Sequence, residues 1–182
     1  MLVLIVGPSG AGKDTLLDAA RQALAEDSRF VFARRCITRP ADAGGEAHEA
    51  LDESVFEIRR AAGGFALWWR AHGLSYGIPA DIDRDIAAGR VVIASVSRAV
   101  IAEAARRYSV RVVEITAPPA VLASRLAQRR REDADGIAKR LSRQIELPDA
   151  IELVRVVNDG SIEQGAARLL DAISRAAEAA PR

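Results

Sequence analysis

Short apolar segments alternate with amphipathic stretches along most of the chain. The segments rich in branched apolar residues are predicted strands, and they are Leu2–Val6, Phe30–Ile37, Arg90–Val96, Val110–Thr116 and Leu153–Val157. The first stretch between strands has an apolar helical face that consists of Leu16, Leu17, Ala20 and Leu24. Strands that alternate with helices are typical of a parallel sheet covered by helices. The pattern therefore predicts an α/β fold of three layers.

Capping residues indicate where several helices begin and end. Pro79 is expected in the first turn of a helix that Gly89 ends, because proline suits a helix start and glycine its end. Ser97 can cap the helix after the third strand. Ser161 and Gln164 have the spacing of a capping box, which predicts the start of the last helix.

One region, residues 38–78, interrupts the alternation of strands and helices. It opens with a loop rich in glycine, alanine and acidic residues, and a helix-like segment follows Asp52. The alternating segment Phe65–Ala71 then turns at His72 and Gly73. We expect a small inserted lobe that binds the substrate.

A second region, residues 125–139, has arginines crowded at the end of a helix: Arg125, Arg129, Arg130 and Arg131. Such a run is usually a solvated face, and composition alone favours that interpretation. In a phosphate-binding protein, the same arginines would suit a lid that closes on a nucleotide and excludes water. Both interpretations are open at this point.

A glycine-rich loop follows the first strand and precedes the first helix. It comprises Gly7, Pro8, Ser9, Gly10, Ala11, Gly12, Lys13, Asp14 and Thr15. The backbone N–H groups of such a loop cradle phosphates, and Lys13 can reach the β- and γ-phosphates of a nucleotide. Lys13 is one of only two lysines among 26 basic residues, so the chain keeps a compact ammonium here although it otherwise uses arginine.

Two residues of this loop are candidate ligands of Mg²⁺. The usual pattern has Ser or Thr directly after the lysine, whereas this chain has Asp14 there and its hydroxyl one step later at Thr15. Either residue can take the metal. The third predicted strand, Arg90–Val96, carries no acidic residue to support the ion, which favours Asp14.

Composition excludes several classes of protein. The chain has 182 residues, which predicts a single domain, 1–182, and its net charge of +1 argues against a dedicated nucleic-acid surface. Its single cysteine, Cys36, cannot form an intrachain disulfide, which fits a reducing compartment. The apolar segment at the N-terminus is too short for a signal peptide or a membrane span. We expect a cytoplasmic protein with no membrane partner, and a homodimer is open.

The order of glycine loop, small lobe and arginine-rich lid resembles that of the nucleoside monophosphate kinases, and guanylate kinase most. The matching motifs are Ile37-Thr38-Arg39 for T-T-R, Ser75-Tyr76-Gly77 for Y-Y-G, Arg125-Leu126 with Arg129 in the lid, Arg140-Leu141 after it, and Asn158-Asp159-Gly160.

The resemblance to guanylate kinase fails at the positions where that family binds guanine. Leu67 and Ile78 stand where that family has its guanine-binding Glu and hydroxyl, and Asp42 replaces the second arginine of its phosphate clamp. Apolar side chains cannot hydrogen-bond a guanine edge, so GMP is a poor candidate substrate.

The sequence resembles the ribose 1,5-bisphosphate phosphokinases of phosphonate catabolism more closely. The shared motifs are G-P-S-G-x-G-K-D, which accounts for Asp14; I-T-R followed by A-G-x-E-x-H, with Glu46 and His48; W-x-A-x-G-L-x-Y-G, from Trp69 to Gly77; and S-R-A at Ser97-Arg98-Ala99. Two departures are Arg130, where glycine is more common, and Ser75, where an aromatic residue is common. Four dispersed motifs in the right order are far more specific than one.

The resemblance implies an enzyme that uses ATP and Mg²⁺ to phosphorylate ribose 1,5-bisphosphate on its 1-phosphate, giving 5-phosphoribosyl 1-diphosphate and ADP. The catalytic residues implied are Lys13, Arg125, Arg129, Arg131 and Arg140, and ATP is expected on the glycine loop and Asn158. The substrate residues implied are Thr38, Arg39, Glu46, His48, Arg70, His72, Tyr76, Ser97 and Arg98.

Plainer interpretations remain for several of these residues. His48 and His72 can be ordinary hydrogen-bonding residues, and Arg34 and Arg35, which precede the lobe, can be solvated.

Two other functions of the protein are open as well. One is a nucleoside or other small-metabolite kinase with altered specificity, and the other is a noncatalytic binding module, which would have no physical reason to keep Lys13 and the lid arginines.

Overall fold

The computed structural model describes residues 1–40, 47–128 and 151–178. Along the chain its elements are β1 (Leu2–Val6), α1 (Lys13–Ala23), β2 (Phe30–Phe32), β3 (Cys36–Ile37), β4 (Glu49–Ala50), α2 (Glu53–Ala61), β5 (Phe65–Ala71), β6 (Leu74–Pro79), α3 (Ile82–Ala87), β7 (Val91–Ser95), a 3-10 turn (Arg98–Val100), α4 (Ile101–Arg107), β8 (Val110–Thr116), α5 (Pro119–Gln128), β9 (Leu153–Val157) and α6 (Ile162–Glu178). Strands and helices alternate as the sequence predicts, apart from the insertion between β2 and α3.

The larger sheet has five strands in the order β2-β7-β1-β8-β9, and every neighbouring pair is parallel. Its central strand β1 is buried along its whole length. Val3 and Ile5 belong to the core shared with α1 and α6, whereas Leu2, Leu4 and Val6 face the opposite core. Helices therefore cover a parallel sheet, which confirms the predicted α/β class, and the strands' carboxyl ends meet at the edge that holds the glycine loop.

A smaller sheet in the order β4-β3-β6-β5 comes from the inserted segment. The strands β5 and β6 form an antiparallel hairpin, and β6 also pairs antiparallel with β3. Leu67, Trp69 and Ile78 on one face of the hairpin pack in the same core as Val6. Helix α2 covers the other face, where the ring of Phe56 stacks on that of Phe65 at a centroid distance of 4.6 Å. The small sheet is thereby packed against the end of β1 that leads into the glycine loop.

The predicted strand Phe30–Ile37 is wrong as a single element. The structure divides it into β2, which pairs with β7 of the larger sheet, and β3, which pairs with β6 of the smaller one. Arg34 and Arg35 lie in the break between the two strands. A run of apolar residues does not reveal which partner each part of it will pair with, so the division between sheets was not predictable from the pattern.

The predicted role of Pro79 is also wrong. Pro79 ends β6, and the helix that follows begins only at Ile82. A proline is tolerated at a strand end because its missing N–H is not needed there. The end of that helix is as expected, since Gly89 follows it with a φ of 76°.

Two predicted caps form. The backbone N–H of Ser161 donates to Oε1 of Gln164 at 3.2 Å, and the N–H of Gln164 donates to Oγ of Ser161 at 3.3 Å, which confirms the capping box. Oγ of Ser97 accepts from the N–H of Ala99 at 3.3 Å, but the helix it caps opens with a 3-10 turn before α4.

Leu24, which was predicted on the apolar face of the first helix, lies just past the end of α1. Along the described residues we find no helix long and apolar enough to cross a membrane.

Candidate active site

The glycine loop connects β1 to α1 with a positive φ at three positions, Gly7, Gly10 and Gly12, and this conformation favours glycine. A Cβ on Gly7 would lie 2.0 Å from the backbone oxygen of Ile115, and Gly7 has a φ of 148°. Gly12 has a φ of 84°, and a Cβ there would lie 2.5 Å from Nδ2 of Asn158. Any side chain would force the loop out of this shape. The loop ends at the N-terminus of α1, whose unpaired N–H groups favour an anion.

Lys13 already lies over the loop. Its Nζ donates hydrogen bonds to the carbonyl oxygens of Gly7 at 2.9 Å and Pro8 at 3.0 Å. These two neutral acceptors hold the ammonium against the concave side of the loop. A nucleotide phosphate is a stronger acceptor than a carbonyl, so the same ammonium can turn to a phosphate that enters the cradle.

Asn158 holds the loop from the far end of the chain. Its Nδ2 donates to the carbonyl oxygen of Ala11 at 2.8 Å, and its backbone N–H donates to Thr116 at 2.7 Å. The side chain is only 6% exposed and lies close to Gly165 of α6. The structure thus places Asn158 beneath the phosphate loop, where it fixes the loop's shape.

Arg125 is the arginine of the predicted lid that lies within the described residues. Its Nη1 is 3.8 Å from the place that a Cβ on Gly12 would take, so the guanidinium lies against the phosphate loop. That nitrogen is buried and has no hydrogen-bond partner among the described residues. Buried donors are normally paired, so an unpaired one at a phosphate loop marks a place for an anion. Glu46, Arg129, Arg131 and Arg140 lie outside the described residues.

Asp14 lies in a narrow crevice between α1 and the strands β2 and β7. The crevice has a volume of about 20 Å³, which is roughly the room that one water molecule needs. Asp14 is 43% exposed, and its Oδ1 is 4.0 Å from Nη2 of Arg35. Ser95, at the end of β7, also lines the crevice, and its buried Oγ has no partner among the described residues. Thr15 is exposed on the first turn of α1.

These oxygens bear on whether Mg²⁺ fits here. Asp14 and Ser95 offer a carboxylate and a hydroxyl beside the phosphate loop, and Mg²⁺ prefers oxygen ligands. Within the described residues, no three His, Cys, Asp or Glu side chains cluster as a metal site. A kinase metal is commonly held by one or two protein oxygens together with waters and phosphates, so this sparse set fits Mg²⁺.

In the small lobe, His48 clamps Arg39. The His48 ring is 4% exposed, and its Nε2 is 3.1 Å from the carbonyl oxygen of Arg39 while its Nδ1 is 3.3 Å from Nη2 of the same residue. A carbonyl only accepts, so Nε2 donates to it and Nδ1 accepts from the guanidinium. Arg34 donates to the carbonyl of His48 at 2.9 Å. In this structure, His48 positions Arg39, one of whose nitrogens, Nε, is buried without a partner among the described residues.

Arg70 lies on the outer face of the lobe. Its Nη2 forms ion pairs with Glu57 at 2.9 Å and Glu53 at 3.3 Å, both on α2. Strand alternation puts Arg70 opposite Trp69, so the two side chains point to different faces of the hairpin. Arg70 shares an outer cavity of about 780 Å³ with Thr38, Arg39 and Ser75. Its predicted contact with substrate stays a prediction.

Tyr76 lies on the face of the lobe that packs toward the larger sheet. Its ring stacks on Trp69, nearly parallel, at a centroid distance of 5.3 Å. The guanidinium carbon of Arg35 is 5.9 Å from the centre of the Tyr76 ring. The predicted substrate residues are therefore divided between two faces, with Arg39 and Arg70 at the outer cavity and Tyr76 on the side of the phosphate loop.

Arg98 follows β7 and is held by a buried carboxylate. Its Nη2 donates to Oε1 of Glu114 at 3.0 Å, and Nε of Arg155 donates to Oε2 of the same residue at 2.9 Å. Glu114 is 8% exposed and pairs in register with Val6, the last residue of β1. One carboxylate thus orients two guanidinium groups beside the end of the central strand.

The turn of the lobe hairpin forms at the predicted place. His72 has a φ of 53° and Gly73 a φ of 72°, which suits a tight two-residue hairpin turn. His72 therefore stands at the tip of the hairpin, and its predicted contact with the substrate stays a prediction.

Three residues beside this site, Arg35, Ser95 and Glu114, were not predicted to be part of it. Glu114 could have been found, because it is the one acidic residue of a mostly apolar strand. Arg35 and Ser95 could not, since their positions beside Asp14 depend on how β2, β3 and β7 are placed in space.

Several known proteins are similar to this chain. A family model described as an AAA domain matches residues 3–146. The crystal structure of guanylate kinase from Anaplasma phagocytophilum matches with a TM-score of 0.72 and 18% identity, over 99% of this chain and 87% of that one. An unliganded sugar kinase from Janibacter matches with a TM-score of 0.55 and 19% identity, over 100% of this chain and 98% of that one. At these identities, the two structures support the fold alone.

Curated relatives are much closer in sequence. The ribose 1,5-bisphosphate phosphokinase PhnN of Methylobacterium radiotolerans is 49% identical over 93% of this chain and 94% of that protein. PhnN of Brucella melitensis is 51% identical over 88% of this chain and 84% of that protein. The bifunctional ribose 1,5-bisphosphokinase-thymidine phosphorylase of Azorhizobium caulinodans is 51% identical over 95% of this chain, which spans only 25% of that protein.

The fold and the glycine loop define a P-loop protein with the architecture of guanylate kinase. Within that class, the chain belongs to the family of the ribose 1,5-bisphosphate phosphokinases, because it is 49% and 51% identical to two of its members over most of both chains.

Proposed function

We propose that this protein transfers the γ-phosphoryl group of ATP to the 1-phosphate of ribose 1,5-bisphosphate and releases 5-phosphoribosyl 1-diphosphate and ADP. The observation that supports this most directly is the chemistry of the lobe. Leu67 and Ile78, at the positions where guanylate kinase binds its base, are fully buried in the core. Guanidinium and phenol groups remain at Arg39, Tyr76 and Arg98, and these suit phosphates.

The donor side is the phosphate loop with Lys13. A nucleoside triphosphate fits a cradle in which three glycines have positive φ and the Lys13 ammonium lies over the loop. Asp14, with Thr15 and Ser95 nearby, would hold Mg²⁺, which supplies charge neutralisation to the phosphates when it is bound. Asn158 supports the loop from below and keeps it in the shape that binds phosphate.

The acceptor must approach the γ-phosphate from the side of the lobe that faces the loop. Tyr76 packs with the same core as Val6, the residue that leads into the glycine loop. Arg98, oriented by Glu114, lies beside the same strand end. A ribose with two phosphates requires cationic groups and no base pocket, and Arg98 offers a guanidinium on this face.

The chemistry requires little from the protein beyond position and charge. An oxygen of the 1-phosphate forms a bond to the γ-phosphorus, while the bond between that phosphorus and the oxygen bridging to the β-phosphorus breaks and ADP departs with the electron pair. The nucleophile is already an anion, so no general base is required. Lys13 and Arg125 would stabilise the negative charge that gathers on the transferred group.

A single assay tests this proposal against its alternatives. The protein is incubated with ATP and Mg²⁺ and offered ribose 1,5-bisphosphate, ribose 5-phosphate or GMP, and the products are identified by phosphorus NMR. We expect a new diphosphate on ribose from the first substrate and almost no GDP from the third. Efficient GDP formation without 5-phosphoribosyl 1-diphosphate would establish a nucleotide kinase instead.

A noncatalytic binding module predicts a different result. Such a protein would bind nucleotide yet release no ADP with any acceptor. The Lys13→Ala variant serves as the blank, because any turnover that survives in it comes from a contaminating kinase.

A further inference from the structure

Ser95 has a hydroxyl group that the fold buries without pairing it. The residue is 6% exposed and ends β7, where it pairs in register with Ile5 of the central strand β1. Its Oγ has no hydrogen-bond partner among the described residues, whereas Oγ of the equally buried Ser75 donates to Glu53 at 3.0 Å. Buried hydroxyls are normally paired, so the Ser95 hydroxyl calls for a water or a ligand that satisfies it.

The crevice beside Ser95 has room for one small molecule. Ser95 lines it together with Asp14, which lies on the first turn after the glycine loop. Its volume of about 20 Å³ is enough for one water and far too little for a phosphate or a ribose. A buried water requires about two to four polar partners, and the Ser95 hydroxyl and the Asp14 carboxylate both offer oxygens. The crevice therefore suits a single water between β7 and α1.

The charges that line this crevice balance one another. Asp14 and Asp18 are two carboxylates, and Arg21 and Arg35 are two guanidinium groups. A divalent cation inside the crevice would lie close to those guanidinium groups and be repelled, so the crevice itself suits a neutral water. Asp14 is 43% exposed, so part of its surface lies outside the crevice, where nucleotide phosphates would add the negative charge that favours Mg²⁺.

The position of Ser95 in the sheet also fits a role at the nucleotide site. Ligands of open parallel sheets bind outside the carboxyl ends of the strands, and Ser95 is at that end of β7, directly beside the strand that leads into the glycine loop. The other four residues of β7 are apolar, so Ser95 is the residue of this strand with a side-chain oxygen.

We propose that Ser95 is a positioning residue for Mg²⁺, whose hydroxyl holds a water in the crevice that is at the same time a ligand of the ion bound by Asp14. This inference rests on the proposed function and adds a residue that acts on the metal through water. Mg²⁺ usually keeps several of its waters in kinase sites, and groups that hold such ligands from behind strengthen binding of the metal. A serine hydroxyl suits the task because its oxygen accepts a hydrogen bond from water.

The experiment compares Ser95→Ala, Ser95→Asp and the control Ser109→Ala. Ser109 is exposed and precedes β8, at the opposite end of the sheet. Mn²⁺ serves as the probe, and its binding in the presence of saturating ADP is followed by electron paramagnetic resonance. We expect Ser95→Ala to weaken Mn²⁺ binding by about 10-fold, as the loss of a group behind a metal ligand does. Ser95→Asp should bind Mn²⁺ at least as tightly as the parent, because a carboxylate is a stronger acceptor for water than a hydroxyl.

Two further measurements separate this role from a structural one. The affinity for ADP in the presence of EDTA should stay within about 2-fold of the parent's in Ser95→Ala and Ser109→Ala, because no metal takes part. A bound ion also stabilises the folded protein, so adding Mn²⁺ to the ADP complex raises its melting temperature. We expect this additional rise to be smaller in Ser95→Ala than in the parent and in Ser109→Ala.

Other outcomes would contradict the inference. Unchanged affinity for Mn²⁺ in Ser95→Ala, with a melting temperature lowered equally with and without the ion, would mean that Ser95 only packs against α1. An equal loss of affinity for ADP in EDTA would mean that Ser95 shapes the glycine loop. A parent protein that binds no Mn²⁺ with ADP would overturn the metal site of the proposed function together with this inference, whereas a parent that binds Mn²⁺ no better than Ser95→Ala does would overturn this inference alone.

Discussion

Nδ2 of Asn158 donates a hydrogen bond to the carbonyl oxygen of Ala11 at 2.8 Å, although 147 residues separate the two positions along the chain. The bond ties the end of β9 to the middle of the phosphate loop. Both groups are buried, so loss of the bond leaves a polar group without a partner. The phosphate site therefore depends on the last strand as well as on the loop's own glycines.

We expect Asn158→Asp to weaken both nucleotide binding and folding. A carboxylate in place of the amide would face the Ala11 oxygen without a proton to donate, at a cost of about 1–3 kcal/mol in the free energy of unfolding. The affinity for an ATP analogue, measured by calorimetry, should fall along with the melting temperature. Asp159→Asn is the control, because Asp159 is exposed and pairs with Arg168 on the surface. Normal affinity in Asn158→Asp would show that the loop holds its shape unaided.

Lys13→Ala should abolish phosphoryl transfer while the fold survives. The ammonium donates to two loop carbonyls, at 2.9 and 3.0 Å, and these lie in the loop rather than in the core, so its removal should disturb little of the core. We expect a fall of about 10³-fold or more in kcat, as for other groups that stabilise charge in the transition state. ADP release and thermal denaturation measure the two effects. Near-normal turnover in a folded Lys13→Ala protein would refute the role of the phosphate loop.

Asp14→Asn should raise the concentration of Mg²⁺ that gives half-maximal activity. The change replaces the Asp14 carboxylate with an amide of the same shape in the crevice that Asp14 shares with Asp18 and Ser95. Binding of Mn²⁺ in the presence of ADP, followed by electron paramagnetic resonance, reports on the metal without turnover. Asp171→Asn on α6 is the control, because Asp171 is exposed and pairs with Arg175 away from the crevice. An unchanged affinity for Mn²⁺ would transfer the role to Thr15 or to water.

The phosphate loop was predictable from residue types alone. Gly7 and Gly12 adopt backbone angles that favour glycine, and Lys13 follows at the spacing of the P-loop motif, with its ammonium over the loop. These features are local, because the loop, the strand before it and the helix after it are neighbours in sequence. Local chemistry of this kind can be inferred without tertiary information.

The position of Arg35, near Asp14 and Tyr76, was not predictable in that way. It depends on β2 pairing with β7 and β3 pairing with β6, which are contacts between residues far apart in the chain. Arg70 differs, since the alternation of Phe65–Ala71 already placed it opposite Trp69. What the pattern could not supply was which face of the hairpin would turn toward the phosphate loop.

Cys36 should be unreactive toward thiol reagents in the native protein. Burial, together with a hydrogen bond from Sγ to the Glu49 carboxylate at 3.2 Å, raises the pKa of this thiol to about 12. At pH 8, the folded thiol is therefore protonated and inert, whereas the unfolded thiol ionises in part and reacts. A colorimetric thiol assay with and without denaturant measures this directly, because the chain has one cysteine.

The raised pKa of Cys36 also predicts the direction in which stability changes with pH. Between the unfolded thiol's ordinary pKa of about 8.5 and the raised folded value, only the unfolded state releases the proton. Cys36 therefore lowers the free energy of unfolding as the pH rises through this range. The melting temperature should fall more from pH 8 to pH 10 in the parent than in Cys36→Ala, and equal falls would contradict the buried protonated thiol.

Arg125→Met should lower turnover without lowering stability. Nη1 of Arg125 is buried beside Gly12 without a partner among the described residues, so the folded protein bears the cost of desolvating it. A methionine of similar length removes that cost and should leave the melting temperature unchanged or higher, while kcat falls at least about 10-fold because the cation near the transferred phosphoryl group is lost. Arg175→Met on α6 is the matched control, since Arg175 is 72% exposed and pairs with Asp171. If Arg125→Met instead melts earlier and keeps its kcat, Arg125 stabilises the fold and has no part in phosphoryl transfer.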